Sequence, residues 1–169
     1  MDETTVSGRR FGLTADTHDD LVDWPAILAG LKAAWGEVDG VLHCGDLTSA
    51  RALESLSAIA PTYATRNNGD PPAAPPALSD GPRVLNLGGL RIGLTFKLPE
   101  SARSPDGAAV LFGGPVAACI YGGTHEAQVA DVGGVLFVNP GSPSLAKTRT
   151  AAVLAIRDGR PFVEIVPIA

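Results

Sequence analysis

Apolar and polar positions alternate in short blocks along this chain, and the blocks change character halfway. Phe11–Ala15 (FGLTA) reads as a strand that breaks into Asp16-Thr17-His18. Within Val22–Trp35, residues Ile27, Leu28, Leu31 and Trp35 recur at the spacing of one helix face. Asp23 is placed to cap that helix, and Pro25 falls in the first turn, where its missing N–H costs little. Asp39–Cys44 predicts a second strand, within an apolar run (VLHCGDL) that ends in Gly45-Asp46. Thr48–Ala60 predicts a second helix, with Thr48 or Ser49 as cap, an apolar stripe of Leu53, Leu56 and Ile59, and Pro61 as stop. Thr62–Thr65 is a short third strand. A β-α-β-α-β order favours parallel strands with right-handed crossovers.

The second half reads as hairpins. Arg83–Leu87 and Leu90–Phe96 flank Gly88-Gly89, Gln128–Val132 and Val135–Val138 flank Gly133-Gly134, and Ala151–Arg157 and Pro161–Ile168 flank Asp158-Gly159. Val116–Tyr121 is a buried strand. Ser101–Phe112 stays open between loop and helix, with Ser104-Pro105-Asp106 resembling a helix start. Pro71–Gly81 is too rich in proline for a helix or an inner strand and reads as a stiff loop across the surface. Met1–Arg10 is polar, lacks the apolar core of a signal peptide, and reads as a loose leader. Neither a repeat nor a second core is visible, so residues 1–169 are expected to form one domain. The order suits an α/β fold of two mixed sheets packed together with helices outside, an α/β/β/α sandwich.

Composition narrows the function more than the fold. The 169 residues suffice for one sizeable core. The formal net charge of -5 argues against non-specific affinity for nucleic acid or an anionic membrane surface. No apolar run is long enough to span a bilayer. Cys44 and Cys119 lie in apolar strands without C-x-x-C spacing, as buried free thiols of a reducing cytoplasm would. The chain has no P-loop, no dinucleotide fingerprint and no G-x-S-x-G nucleophile turn.

The candidate chemistry stands at strand ends: Asp16-x-His18, Gly45-Asp46, Asn67-Asn68-Gly69-Asp70, Gly122-Gly123-Thr124-His125 and Asn139-Pro140-Gly141-Ser142. Open α/β sheets present such ends to one crevice. Taken singly, each has a plain reading: Asp16 and Asp46 as helix caps, Asn139-Pro140-Gly141-Ser142 as a turn. His43, inside its strand, reads as a hydrogen-bonded structural histidine. Together, carboxylate, imidazole and amide oxygen suit a divalent ion such as Mn2+, Fe2+ or Zn2+.

The order D-x-H, G-D, N-x-D, G-x-T-H, N-P-G-S resembles that of the calcineurin-like metallophosphoesterases, and most of all their small bacterial and archaeal phosphodiesterases. The resemblance runs from Gly12 to Ser142. It implies the layered fold, a phosphoesterase activity on a small phosphate ester, and a divalent metal, Mn2+ first, with Fe2+, Zn2+ and Ni2+ as alternatives. It assigns Asp16, His18 and His125 to a first ion, Asp46 to a bridge between two ions, and Asn68 to the second. Asp70 closes the N-x-D motif and, with Asn68, is the candidate for a catalytic or supporting part; Asn139 and Ser142 are expected to orient neighbours.

Two positions depart from the family pattern. Gly123 stands where a histidine of G-H-T-H would bind the second ion, and Thr95-Phe96-Lys97-Leu98 replaces a histidine-bearing turn. Counting ligands leaves a first site of Asp16, His18, Asp46 and His125, and a second of Asp46 and Asn68 alone. The expectation is one ion rather than two, and an impaired or remodelled centre. Lys97 reads as a solvent-facing lysine at a turn, with compensation for the missing charge as the sharper alternative. A second functional reading is a non-catalytic scaffold, as in the retromer subunit of this superfamily. In that reading an exposed Phe96–Leu98 pair meets a protein partner or a second copy of the chain.

Overall fold

Twelve strands among the described residues sort into two six-stranded sheets that bury their apolar faces against each other. The computed structural model describes residues 1–169, the side chain of Asp2 excepted. One sheet contains β1 (Asp2–Val6), β6 (Arg83–Leu87), β7 (Leu90–Leu94), β8 (Ala118–Ile120), β10 (Val135–Pro140) and β9 (Ala127–Val132), in that spatial order. The other runs β12 (Arg160–Pro167), β11 (Thr150–Arg157), β2 (Arg10–Thr14), β3 (Gly40–His43), β4 (Thr62–Thr65) and β5 (Leu78–Ser79). Strands β2 to β5 pair in parallel, as the alternating order predicts. The three hairpins form as expected, with Gly88-Gly89, Gly133-Gly134 and Asp158-Gly159 all at positive φ. Both central residues of a type I′ turn need that conformation.

Strand alternation assigns the layers. Phe11 and Leu13 point between the sheets, onto Leu42, Leu85, Ile92 and Ile120. Val41 points the other way, toward Ile27, Leu31 and Trp35 of α1 (Trp24–Trp35) and Leu56 of α2 (Ala50–Ser57). On the far side α3 (Pro105–Leu111) and Phe112 cover Val84, Cys119 and Phe137 of the first sheet. The result is the α/β/β/α sandwich. Helix α1 starts at Trp24, where Asp23 accepts the Ala26 N–H at 3.3 Å. Helix α2 ends at Ser57 rather than Ala60, its last turn tightening as the Ile59 N–H donates to the Leu56 carbonyl; Ser49 holds the N-cap position with its hydroxyl on Asp19. The open segment resolves as a 3-10 turn (Glu100–Ala102) followed by α3, whose cap is Ser104.

Two expectations need correction. Residues 2–6 are not a loose leader: they form β1, in parallel register with β6 from Glu3–Val84 to Val6–Leu87. An edge strand with one wet face keeps polar residues, so Glu3, Thr4 and Thr5 hide it in the sequence, and only Val6 enters the core. The proline-rich segment also ends in a strand, β5, paired to β4. Buried Arg83 ties both features together, donating to the Pro76 carbonyl at 2.7 Å and to Thr4 Oγ1 at 3.1 Å.

The outer helices are seated by rings on glycines. A Cβ on Gly12 of β2 would stand 2.5 Å from Trp35 Cδ2, and one on Gly93 of β7 2.4 Å from Phe112 Cε2. Behind the carboxyl ends of β2 and β3, buried His43 accepts the Gly45 N–H on Nδ1 at 3.0 Å, so its own proton is on Nε2, 3.0 Å from Thr17 Oγ1. Burial, reinforced by the nearby His18, holds the His43 imidazole down to about 3.

Gly12→Ala should lower stability by about 1–3 kcal/mol in urea unfolding through overpacking, and Trp35→Leu in the same chain should recover part of that loss. His43 generates a pH effect of defined sign. Its folded pKa lies below the unfolded value near 6.5, so its contribution is whole above pH 6.5. It is lost as pH falls from there toward 3, at up to about 1.4 kcal/mol per pH unit. In chelator-treated protein, His43→Gln should flatten the stability profile below pH 6.5; an unchanged slope would refute this origin.

Candidate metal centre

The carboxyl ends of β2, β3, β4 and β8 open onto one edge of the sandwich, and the polar clusters that follow them meet there. Asp16, His18, Asp46 and His125 each offer a ligand atom, and these atoms all lie within 4.8 Å of one another. His18 Nε2 is 3.4 Å from Asp46 Oδ2 and 3.3 Å from His125 Nε2, and His125 Nε2 is 3.9 Å from Asp16 Oδ1. All four residues hold positive φ, between 44° and 63°. Non-glycine residues seldom adopt that conformation, and its recurrence at each ligand position marks a site whose backbone the surrounding structure dictates.

Neighbouring segments enforce this geometry. Asp16 is fully buried, accepts the Gly123 N–H on Oδ2 at 2.9 Å, and gives its carbonyl to the hydroxyls of Ser142 and Ser144. Backbone bonds from the Asp16 N–H to the Gly45 carbonyl and from the His18 N–H to the Asp46 carbonyl zip the two strand-end loops together, each at 3.0 Å. Buried Asp70 takes three backbone N–H groups, from Asp46 at 2.9 Å and from Thr48 and Asn67 at 3.0 Å each. Asn139 donates to Thr124 Oγ1 at 2.9 Å and steadies the turn that carries His125. Asn139 and Ser142, expected to orient neighbours, thus bond to Thr124 and to the Asp16 carbonyl.

The donor set fits a divalent cation. Burial pushes the Asp16 carboxyl up to about 7; the Gly123 N–H and the His125 imidazole pull it back, and the Asp46 carboxylate pushes it up further. Two carboxylates, one of them out of contact with water, and two imidazole nitrogens turn toward one common point, a set of oxygen and nitrogen donors suited to a cation. Hard oxygen and borderline nitrogen donors suit Mn2+, Fe2+ or Zn2+. The two thiols are no part of this: Cys44 and Cys119 are free and buried, and burial raises both, Cys119 to about 12.

The remaining sequence candidates are placed less simply. Asn68, expected as a ligand, is exposed, while its neighbour Asn67 donates its side-chain amide to Asp46 Oδ1. Asp70, a catalytic candidate, spends its carboxylate on the backbone N–H groups of Asp46, Thr48 and Asn67. The Phe96 ring packs on Gly45, where a Cβ would stand 2.5 Å from Cδ2, and the Lys97 stem crosses Gly123. Leu98 is 7 % exposed and belongs to the core under α3, so no exposed Phe96–Leu98 patch exists. Sequence reasoning missed Asn67, the serine at 144 and the Asp19 network. Buried Asp19 accepts from Thr48 and Ser49 hydroxyls and pairs with Arg51 at 3.3 Å, fixing the start of α2. The polar run His18-Asp19-Asp20 was the available signal for that network.

Relatives share this architecture. The chain is 27% identical to a probable metallophosphoesterase of Methanocaldococcus jannaschii, over 93% of this chain and 80% of that protein. Among solved structures, a novel archaeal phosphodiesterase superposes with a TM-score of 0.71 at 23% identity, covering 92% of this chain and 99% of the other. Vps29 of Chaetomium thermophilum also superposes with a TM-score of 0.71, at 20% identity, covering 94% and 96%. These structural likenesses speak to the fold. The profile of the calcineurin-like phosphoesterase superfamily domain matches residues 10–159, a span that holds every ligand candidate, and the chain belongs to that family.

Proposed function

We infer that this protein is a metal-dependent phosphoester hydrolase, a phosphodiesterase in the first instance, with a remodelled centre that holds one divalent ion. Mn2+ is the leading candidate. The observation that carries the reading is the convergence of Asp16, His18, Asp46 and His125, from segments far apart in the chain, within 4.8 Å. Membership of the phosphoesterase family and the likeness to an archaeal phosphodiesterase support it.

When bound, a divalent ion lowers the pKa of a water and offsets charge developing on phosphoryl oxygens. The chain supplies the rest. Asp16 and Asp46 would bring the negative charge that retains a cation, and His18 and His125 would hold it through imidazole nitrogen. Asp70 and the Gly123 N–H hold the carboxylate-bearing loops in place, as outer partners of metal ligands do. His18, 16 % exposed, and His125, 32 % exposed, face the open side, where an ester would enter. Asn67 lies beside Asp46 as the amide nearest the centre, and Asn68 remains a candidate only if its loop turns. A non-catalytic scaffold is the alternative reading. The likeness to Vps29 is compatible with it, but the buried Leu98 removes the contact patch that would favour it.

With Mn2+ added, the purified protein should hydrolyse bis(p-nitrophenyl) phosphate, and chelation should abolish turnover. Asp46→Ala and His125→Ala should each cut kcat/KM at least about 100-fold while circular dichroism stays native, since each removes a ligand of a metal that activates water. Activity unchanged in both variants, or absent from the wild type, would reject the reading. Asp70→Asn should weaken Mn2+ binding about 10–100-fold by calorimetry, the usual cost of losing an outer partner. Excess Mn2+ at about 100 times its Kd should stabilise the wild type by about 2.7 kcal/mol through mass action.

A further inference from the structure

Beside the four-ligand cluster lies a wall that the metal does not explain. The Phe96 ring stands against Gly45, the residue before Asp46, and leaves no room there for any side chain. Lys97 follows, and its stem lies on Gly123, with Cγ 3.0 Å and Cε 3.3 Å from where a Cβ at that position would stand. The same Gly123 donates its N–H to Asp16. The Lys97 ammonium sits over the Phe96 ring, 5.4 Å from its centroid. A cation over a ring face is held by the ring's quadrupole without being neutralised. The backbone beneath is fixed: Thr95 N–H donates to the Ile120 carbonyl at 3.0 Å, Gly122 N–H to the Phe96 carbonyl at 2.8 Å, and Thr95 Oγ1 to the Lys97 carbonyl at 3.2 Å.

Charge counting gives this wall a role. Two carboxylates around one divalent ion leave a nearly neutral centre, which has little net attraction for an anionic ester. The arginines of the neighbouring loops are committed, Arg51 to Asp19 and Arg66 to Asp80. Lys97 has no carboxylate partner among the described residues; its stem lies on Gly123, which donates to Asp16, and its exposed ammonium sits over the Phe96 ring that rests on Gly45.

We propose that Lys97 is the oxyanion-binding cation of a one-metal centre: Phe96 fills the place beside Asp46, and the ammonium poised on that ring binds a phosphoryl oxygen of the ester or of the phosphate product. The proposal rests on the phosphoesterase reading and deepens it. It makes the site's positive charge part metal and part side chain, with the ring holding the lysine in place. Lys147, in a separate cleft of about 520 Å³ beside His125, is the rival cation.

The test is metal counting and phosphate binding. Wild type, Lys97→Met, Lys97→Arg, Lys147→Met and the remote control Lys32→Met are loaded with Mn2+ and analysed by elemental analysis, then titrated with inorganic phosphate by calorimetry. One ion per chain is expected in all five. Lys97→Met should bind phosphate at least tenfold more weakly at an unchanged melting temperature. Lys97→Arg should recover part of the affinity, and Lys147→Met and Lys32→Met should bind like wild type. Two ions per chain in the wild type overturns the proposal. So does phosphate affinity that survives in Lys97→Met or falls instead in Lys147→Met, and both results leave the phosphoesterase reading intact if the wild type hydrolyses esters. A wild type that neither binds phosphate nor hydrolyses esters overturns both.

Discussion

A carboxylate shut off from water organises this molecule. Asp16 has no exposed surface, yet the ends of three strands are fastened through it: β2 carries it, the turn after β8 donates an N–H to its side chain, and the turn after β10 donates hydroxyls to its carbonyl. Two sheets that meet mainly through apolar side chains are thereby joined at this edge by polar bonds. An isolated carboxylate in that place would be costly to bury. Its tolerance there depends on the N–H of Gly123, the nearby imidazoles and the cation that the cluster is shaped to accept.

The sequence shows the candidate ligands as a class because each stands just past an apolar run, at the point where a strand of an open sheet stops. The parallel order and the three hairpins are equally legible, since glycine pairs and helix caps have local physical causes. What stays hidden depends on context. Nothing in Asn67-Asn68 says which amide faces Asp46; that follows from the turn in which Asn67 Oδ1 accepts the Gly69 N–H and Asp70 reaches back to Asn67. The strand β1 is hidden because a half-wet edge tolerates glutamate and threonine. Phe96 and Leu98 look alike in sequence, but one lies on a glycine at the site and the other under α3.

The centre and its wall divide labour between two kinds of neighbour. Hydrogen bonds fix the backbone of the ligand loops, including the left-handed residues that would relax if released. Van der Waals contacts with glycine fix the wall, because a ring or a lysine stem settles where no Cβ opposes it. Gly45 and Gly123 therefore matter both as flexible links and as flat ground on which other side chains rest.

The same device recurs on the outer faces, where Trp35 rests on Gly12 and Phe112 on Gly93. A ring lying in a notch between flanking side chains cannot slide along its strand, so it acts as a detent that sets the axial position of the helix. For α1 the notch lies four residues before Asp16. The loop from Asp16 to Asp23 is thus anchored at both ends, and its slack is fixed before any ligand contact forms. In effect, the tryptophan at the far end of the helix measures out the loop that carries Asp16 and His18.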